Sequence, residues 1–339
     1  MTAGGRPPLR IGLAGAGMIS HHHLIAWSRD SRAKVVALCD PDLAQAHCRA
    51  AEFAIPGVHA NLDEMLAGQE LDAVDVASPR ETHAALVEAA AARGIDVLCQ
   101  KPLAPTFAAG EALAQRVAGK ARLMVHENWR FRPWYRSLKR WLDDGETGRL
   151  LQADMATLSG GLLPDAAGRR PALERQPFMA REERLMIAEV LIHHLDVLRW
   201  LFGPLRVVGA RTAHSLPLVR GETLAVIFLE TTAGAPVTLR GAMAAPGFPA
   251  GTGDRLEVVG GKASALLEGM ELRLLGTPGR QEGFDFTRDY QGSFDAAIRH
   301  FVDCLISGEA FETDVQDNLE TLRLVEESYA AAAVAPATR

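Results

Sequence analysis

From residue 9 to about residue 125 short apolar runs alternate with amphipathic stretches, and no other feature constrains the fold as tightly. The runs at 9–14, 35–39, 73–77, 96–99 and 122–125 have strand length, and 41–53 and 80–93 between them read as helices. In the second of these, His83, Leu86, Val87, Ala90 and Ala91 recur at helical spacing on one face. Strand and helix in alternation predict a parallel sheet with right-handed crossovers, that is, a doubly wound α/β domain.

After residue 126 the rhythm changes. One helix, 133–142, leads into the turn-rich 143–148, and longer β-like runs follow at 150–158, 207–214, 223–230, 236–242, 256–259 and 272–275. Runs separated by only a few turn residues, as at 231–235, predict antiparallel neighbours. Helices at 293–307 and 315–332 close the chain ahead of an Ala-rich tail. Two domains are expected for 339 residues, 1–125 and 126–339. The Gly-, Pro- and Arg-bearing segment 160–184 has little periodicity and reads as a surface loop, with a flap over a site as the other reading.

The first strand runs into Gly15-Ala16-Gly17-Met18-Ile19-Ser20, which matches GxGxxG at its first two glycines. Such glycines permit a tight turn and let backbone amides approach a pyrophosphate at the next helix N-terminus. Ser20 stands where Gly or Ala usually packs helix against strand. The second strand ends at Asp40, whose carboxylate can accept from both hydroxyls of an adenosine ribose and repel a 2′-phosphate. NAD is therefore expected rather than NADP. The other reading is a simple turn with Asp40 as a helix cap; the order strand, loop, helix, strand, acid favours the cofactor.

Two further constellations carry chemistry. Gln100-Lys101-Pro102 places a lysine just past the carboxyl end of a strand, the edge where open α/β sheets bind ligands. Lys101 there can hold a substrate hydroxyl and stabilise the oxyanion that forms as its proton leaves; a surface lysine in a turn is the alternative. Glu189, His193 and Asp196 fall at i, i+4 and i+7, on one stripe of a helix, with Leu191, Leu195, Leu198 and Phe202 on the opposite stripe. Two carboxylates beside an imidazole raise its basicity and suit it to take a proton near neutral pH. Taken alone, the stripe reads first as a solvated charged face. Metal binding by His193, His194 and Asp196 is disfavoured, because the two histidines lie about 100° apart around the helix.

Composition limits the rest. With 48% hydrophobic and 23% charged residues the chain is globular, and a net charge of −6 supplies no basic field for nucleic acid or an anionic membrane. No run of eighteen apolar residues is present, and the polar first ten residues lack the apolar core of a secretory signal, so a cytoplasmic location is expected. Cys39, Cys48, Cys99 and Cys304 show no metal-ligand spacing; Cys39 and Cys99 read as buried, reduced thiols.

Taken together these residues resemble the glucose–fructose oxidoreductase / inositol dehydrogenase family (Gfo/Idh/MocA). The resemblance runs through the Gly-rich turn with His23 after it, Asp40, Ser78-Pro79 with Thr82-His83, Gln100-Lys101-Pro102, the stretch from Asn128 to Pro133, and the helix from Glu189 to Asp196. It implies a Rossmann domain followed by an α+β domain with a large, mostly antiparallel open sheet, and a homodimer or homotetramer formed through that sheet. It implies Lys101 as catalytic lysine, His193 as acid/base, and Glu189 in place of an acid that is usually Asp. Asp196 continues that motif. Met18 and Ile19 join Gly15, Gly17, Asp40 and Gln100 on the cofactor. Ser78, Arg80 and His83 line its nicotinamide side, and Asn128 and Arg130 lie at the substrate end. Gln100 replaces a usual Glu, and Leu191 a frequent Gly, which implies a narrower pocket. Cys99–Pro102, His126–Arg130 and 318–325 look most like the D-apiose dehydrogenase branch, which oxidises an aldose at its anomeric carbon. The resemblance leaves three rivals: an inositol or other polyol as substrate, an NAD-retaining glycosidase, and a non-catalytic NAD-binding regulator.

Overall fold

The computed structural model describes residues 7–251, 253–276 and 279–333; most of the polar lead and the end of the Ala-rich tail lie outside the described residues. The first apolar runs form β1 (Leu9–Ala14), β2 (Ala33–Cys39), β3 (Gly57–His59), β4 (Ala73–Val76), β5 (Asp96–Gln100) and β6 (Leu123–His126). Between them lie α1 (Met18–Ser28), α2 (Leu43–Glu52), α3 (Leu62–Gly68), α4 (Arg80–Ala91) and α5 (Phe107–Val117). The strands are all parallel, in the order β3-β2-β1-β4-β5-β6. That is the Rossmann order, with its reversal between β1 and β4. Strands buried on both faces read as continuous apolar runs, which is why these ones stand out in the sequence.

The second half begins with α6 (Pro133–Asp143), β7 (Leu150–Leu158) and the short α7 (Pro171–Arg175). A π-helical turn, Met186–Leu191, then leads into α8 (Ile192–Phe202). Seven more strands follow: β8 (Leu205–Ala213), β9 (Leu224–Thr231), β10 (Pro236–Ala242), β11 (Gly253–Gly260), β12 (Ser264–Glu268), β13 (Glu271–Leu275) and β14 (Arg280–Gly283). They join β7 in an eight-stranded sheet ordered β14-β13-β12-β11-β7-β10-β9-β8, antiparallel except for β7 with β10. On β9, Ala225, Ile227 and Leu229 are buried while Phe228 is exposed, the alternation of a sheet with one covered face. The segment 160–184 is fastened rather than free. Gly160 N donates to Pro249 O (2.9 Å) and Leu162 N to Met243 O (3.0 Å).

Helices α9 (Phe286–Ser307) and α10 (Val315–Ala333) complete the chain. Packing groups Met1–Phe131 with Tyr290–Leu322, and Arg132–Asp289 with Arg323–Arg339. The division expected at 125/126 follows the sequence; the grouping by packing also carries 290–322 into the first unit. The cause is apolar: Phe294, Ala297, Ile298, Phe301 and Val302 are buried in one core with Leu9, Ile11, Leu13, Leu98 and Met124. Each large side chain so buried contributes about 1.5–3 kcal/mol. Thr313 also extends the β6 edge, receiving Val125 N on its carbonyl (2.8 Å) and donating its hydroxyl to Val125 O (2.6 Å). No helix among the described residues is long and apolar enough to cross a membrane.

Candidate active site

In the first unit the predicted cofactor residues converge at the carboxyl ends of β1, β2, β4 and β5. Gly15 has φ +110°, and a methyl there would meet Ala77 O at 2.5 Å, so the backbone itself requires glycine. Gly17 differs: a methyl there would meet no described atom within 4 Å. Its outer side is open, so a group can approach the backbone there. Met18 and Ile19 form the first turn of α1, Met18 exposed and Ile19 leaning on the core. Ser20, at the usual third-glycine position, is fully buried and donates its hydroxyl to Gly17 O (2.6 Å), so its polar atom is satisfied where it packs. The Asp40 carboxylate is oriented by Ala16 N on Oδ2 (2.8 Å) and Asp42 N on Oδ1 (2.8 Å), and each oxygen keeps further acceptor capacity.

Beneath this cradle is a network the sequence reading missed. Asp75, fully buried within β4, accepts from Trp27 Nε1 (2.7 Å) and bonds His23 Nδ1 (2.8 Å), fixing α1 to the sheet. An acid inside the run Ala73-Val74-Asp75-Val76 was the available signal. His83 is likewise a brace. Buried, it faces Ser78 O with Nε2 (3.0 Å) and Pro102 O with Nδ1 (2.9 Å), joining the loops after β4 and β5. Burial, outweighing those carbonyls, pushes its pKa below the usual histidine value. Ser78 Oγ lies 2.7 Å from Thr82 Oγ1, and Arg80 pairs with Glu81 (3.0 Å). Lys101 stands one residue past β5, half-buried, with its amide donating to Gln100 Oε1 (2.8 Å). Gln100 thus uses its oxygen to hold the backbone that presents the lysine.

Asn128 and Arg130, expected near substrate, have partners of their own. Asn128 Nδ2 donates to Ser293 Oγ (2.8 Å), and the buried Arg130 guanidinium bonds Asp317 Oδ2 (2.8 Å) and Glu312 O (3.1 Å). Cys39 and Cys99 are buried thiols as expected; burial pushes Cys39 up to about 12 and Cys99 well above its ordinary value.

In the second unit, the expected single α-helical stripe is corrected. Glu189 lies in the π-helical turn, whereas His193 and Asp196 lie in α8. A π turn closes i→i+5 rather than i→i+4, so Glu189 is rotated from the place α spacing assigns it. Nor is this a solvated face: Glu189 and His193 are each 7% exposed and Asp196 is fully buried. Asp196 Oδ1 faces Arg199 Nη2 at 3.7 Å. Leu191 does not project as a bulky replacement for glycine. It is fully buried against Gly241 of β10, where a methyl would meet Leu191 Cδ2 at 2.9 Å.

His194 turns to a different task. Its Nε2 bonds Asp254 Oδ1 (2.8 Å) and its Nδ1 lies 3.1 Å from Val190 O. Asp254 also accepts from Tyr135 Oη (2.7 Å) and faces Arg132 Nη1 at 3.4 Å, so α6, α8 and β11 meet at one buried carboxylate. Burial would raise its pKa, but the His194 and Arg132 charges and the hydrogen bonds from His194 and Tyr135 hold it well below the usual carboxylate range. Lys101 belongs to the first unit and His193 to the second.

This fold and dinucleotide cradle define an oxidoreductase built on an NAD-binding Rossmann domain. Residues 9–128 match the family model described as "Oxidoreductase family, NAD-binding Rossmann fold", and residues 135–266 match the "GFO/IDH/MocA C-terminal domain". A D-apiose dehydrogenase of Paraburkholderia graminis is 32% identical over 342 residues, covering 94% of this chain and 86% of that one. Inositol 2-dehydrogenase 4 of Saccharopolyspora erythraea is 32% identical over 313 residues, covering 88% and 86%. Among solved structures, an oxidoreductase from Agrobacterium radiobacter in complex with NAD+, L-tartaric acid and magnesium superposes with a TM-score of 0.89 at 27% identity, covering 96% of each chain. The chain belongs to the Gfo/Idh/MocA oxidoreductase family.

Proposed function

We propose that the protein is an NAD-dependent dehydrogenase that oxidises an aldose such as D-apiose at its anomeric carbon, with Lys101 and His193 as catalytic pair. The observation that carries this is the position of Lys101, one residue past β5 on the same sheet edge as the Gly15–Gly17 turn and Asp40. NAD, when bound by the Gly15–Ile19 turn and Asp40, supplies the hydride acceptor. In this reading His193 acts as the base toward the sugar hydroxyl, and Lys101 serves to stabilise the negative charge that develops as the proton leaves. Glu189 supplies the site's carboxylate four residues before His193, and Asp196 belongs to the same motif. Ser78, Arg80 and Gln100 border the cofactor, and Asn128 and Arg130 shape the substrate end from within the first unit.

The test is NADH formation by the purified protein with NAD across aldoses and inositols. An aldose is expected to react best. Lys101→Met should lower kcat by about 10²–10³-fold and His193→Ala by about 10²–10⁴-fold, both with NAD affinity nearly unchanged. Preference for an inositol would overturn the aldose reading and keep the catalytic pair. Tight NAD binding without net NADH would shift the assignment to a redox-cycling glycosidase or a regulator.

The same reading includes self-association through the open face of the eight-stranded sheet. That face presents Phe228 (51% exposed) beside Arg240 paired with Asp154 (3.2 Å), an apolar centre next to charges of both signs. Light scattering is expected to show a dimer or tetramer that Phe228→Glu dissociates; a monomeric wild type would remove this part.

A further inference from the structure

Two residues unclaimed by the catalytic reading meet at the start of the π-helical turn: Glu222, just before β9, and Tyr329 of α10. The first amides of any helix lack an acceptor inside it. Here four in succession are satisfied from those two residues. Leu185 N donates to Glu222 Oε2 (3.2 Å), Met186 N to Glu222 O (3.2 Å), Ile187 N to Glu222 Oε1 (3.0 Å) and Ala188 N to Tyr329 Oη (3.3 Å). The next amide, that of Glu189, bonds back to the carbonyl of Leu185, the residue just ahead of the turn (2.9 Å). The pair is itself joined, Tyr329 Oη donating to Glu222 Oε1 at 2.5 Å. Burial, then the Glu222 carboxylate, push the Tyr329 phenol well above its ordinary pKa, so it stays a hydroxyl and keeps both roles. Arg184 lies 4.1 Å over the Tyr329 ring and pairs with Glu326 (2.9 Å), which fixes the ring laterally.

We propose that Glu222 and Tyr329 are positioning residues that hold Met186–Leu191 in π-helical winding and thereby place the Glu189 carboxylate. The inference rests on the reading of Glu189 as the site's carboxylate. π-helical winding is a minority geometry, found as single turns mostly at functional sites, and it persists where surroundings impose it. Two contacts impose it here. The clamp fixes the first four amides, and Gly241 leaves the space in the sheet that Leu191 and Met186 fill. Released from the clamp, the segment can wind toward the commoner α geometry, which turns Glu189 away from its present direction.

The test uses Tyr329→Phe, which keeps the ring and removes only the hydroxyl. Amide exchange across 185–191 should quicken, while NAD affinity, read by fluorescence titration, stays within about twofold. With the best substrate from the panel above, kcat should fall about tenfold, the scale of one or two lost hydrogen bonds. In a Glu189→Gln background the same change should cost less than about twofold, because the group being positioned is already disabled. Unchanged exchange would overturn the clamp whether or not any sugar turns over. Quicker exchange with equal kcat losses in both backgrounds would overturn positioning and leave a purely structural bond. A normal kcat in Glu189→Gln alone would overturn the inference through the reading of Glu189, a result distinguishable from failure of the clamp.

Discussion

Two glycines two residues apart do different physical work. Gly15 has a left-handed backbone with Ala77 O against its missing side chain, while Gly17 has φ −66°, which any residue adopts, and open space beyond it. Gly15→Ala should therefore cost stability, about 1–3 kcal/mol. Gly17→Ala should change stability by no more than about 0.5 kcal/mol and weaken NAD binding tenfold or more, since its methyl would stand where the backbone must be approached. Urea unfolding and NAD titration of the two variants separate these effects. Equal destabilisation by both, or unchanged NAD affinity in Gly17→Ala, would mean that this turn is not the pyrophosphate site. Both glycines were legible in the motif. That only Gly15 is required by the fold was not, because this depends on the position of Ala77, far along the chain.

At the scale of elements, legibility followed burial. The runs at 9–14, 150–158 and 236–242 coincide with β1, β7 and β10, because a core strand must be apolar or alternate without interruption. β3 and β14 went unread, having only three and four residues and little buried side-chain surface to pattern. The π-helical turn was illegible for a different reason. Apolar spacing of three and four suits α and π winding alike over six residues, and what selects π here comes from Glu222, Gly241 and Tyr329, distant in sequence. His194 and Asp254 show the same limit. An acid near the start of the alternating strand β11 looks solvated, yet Asp254 is buried, where it receives an imidazole and a phenol and faces a guanidinium. Removing one member of such a buried set costs more than its hydrogen bond, because the remaining charges stay buried and uncompensated.

The whole molecule carries these buried groups in separate units, and acid should reach them in sequence. His83, in the first unit, has a folded pKa below its ordinary 6.5, so the unfolded chain binds its proton more readily. Its contribution is intact above pH 6.5 and declines as pH falls below that value, with a limiting slope of about 1.4 kcal/mol per pH unit for one proton. Asp254, in the second unit, is shifted the same way from an ordinary value of 3.8, so its contribution is complete above pH 3.8 and is lost only as pH falls further. Amide exchange resolves the two units in one experiment. Between about pH 7.5 and about pH 5 the first unit should lose protection around α4 and the loop after β5 while the β11 region holds. In His83→Gln, which cannot take up a proton there, the His83 part of that slope should vanish even if the variant starts from lower stability. An unchanged slope in His83→Gln would show that His83 does not couple folding to pH. Loss of protection at β11 over the same range would show that the second unit yields to acid before Asp254 can titrate.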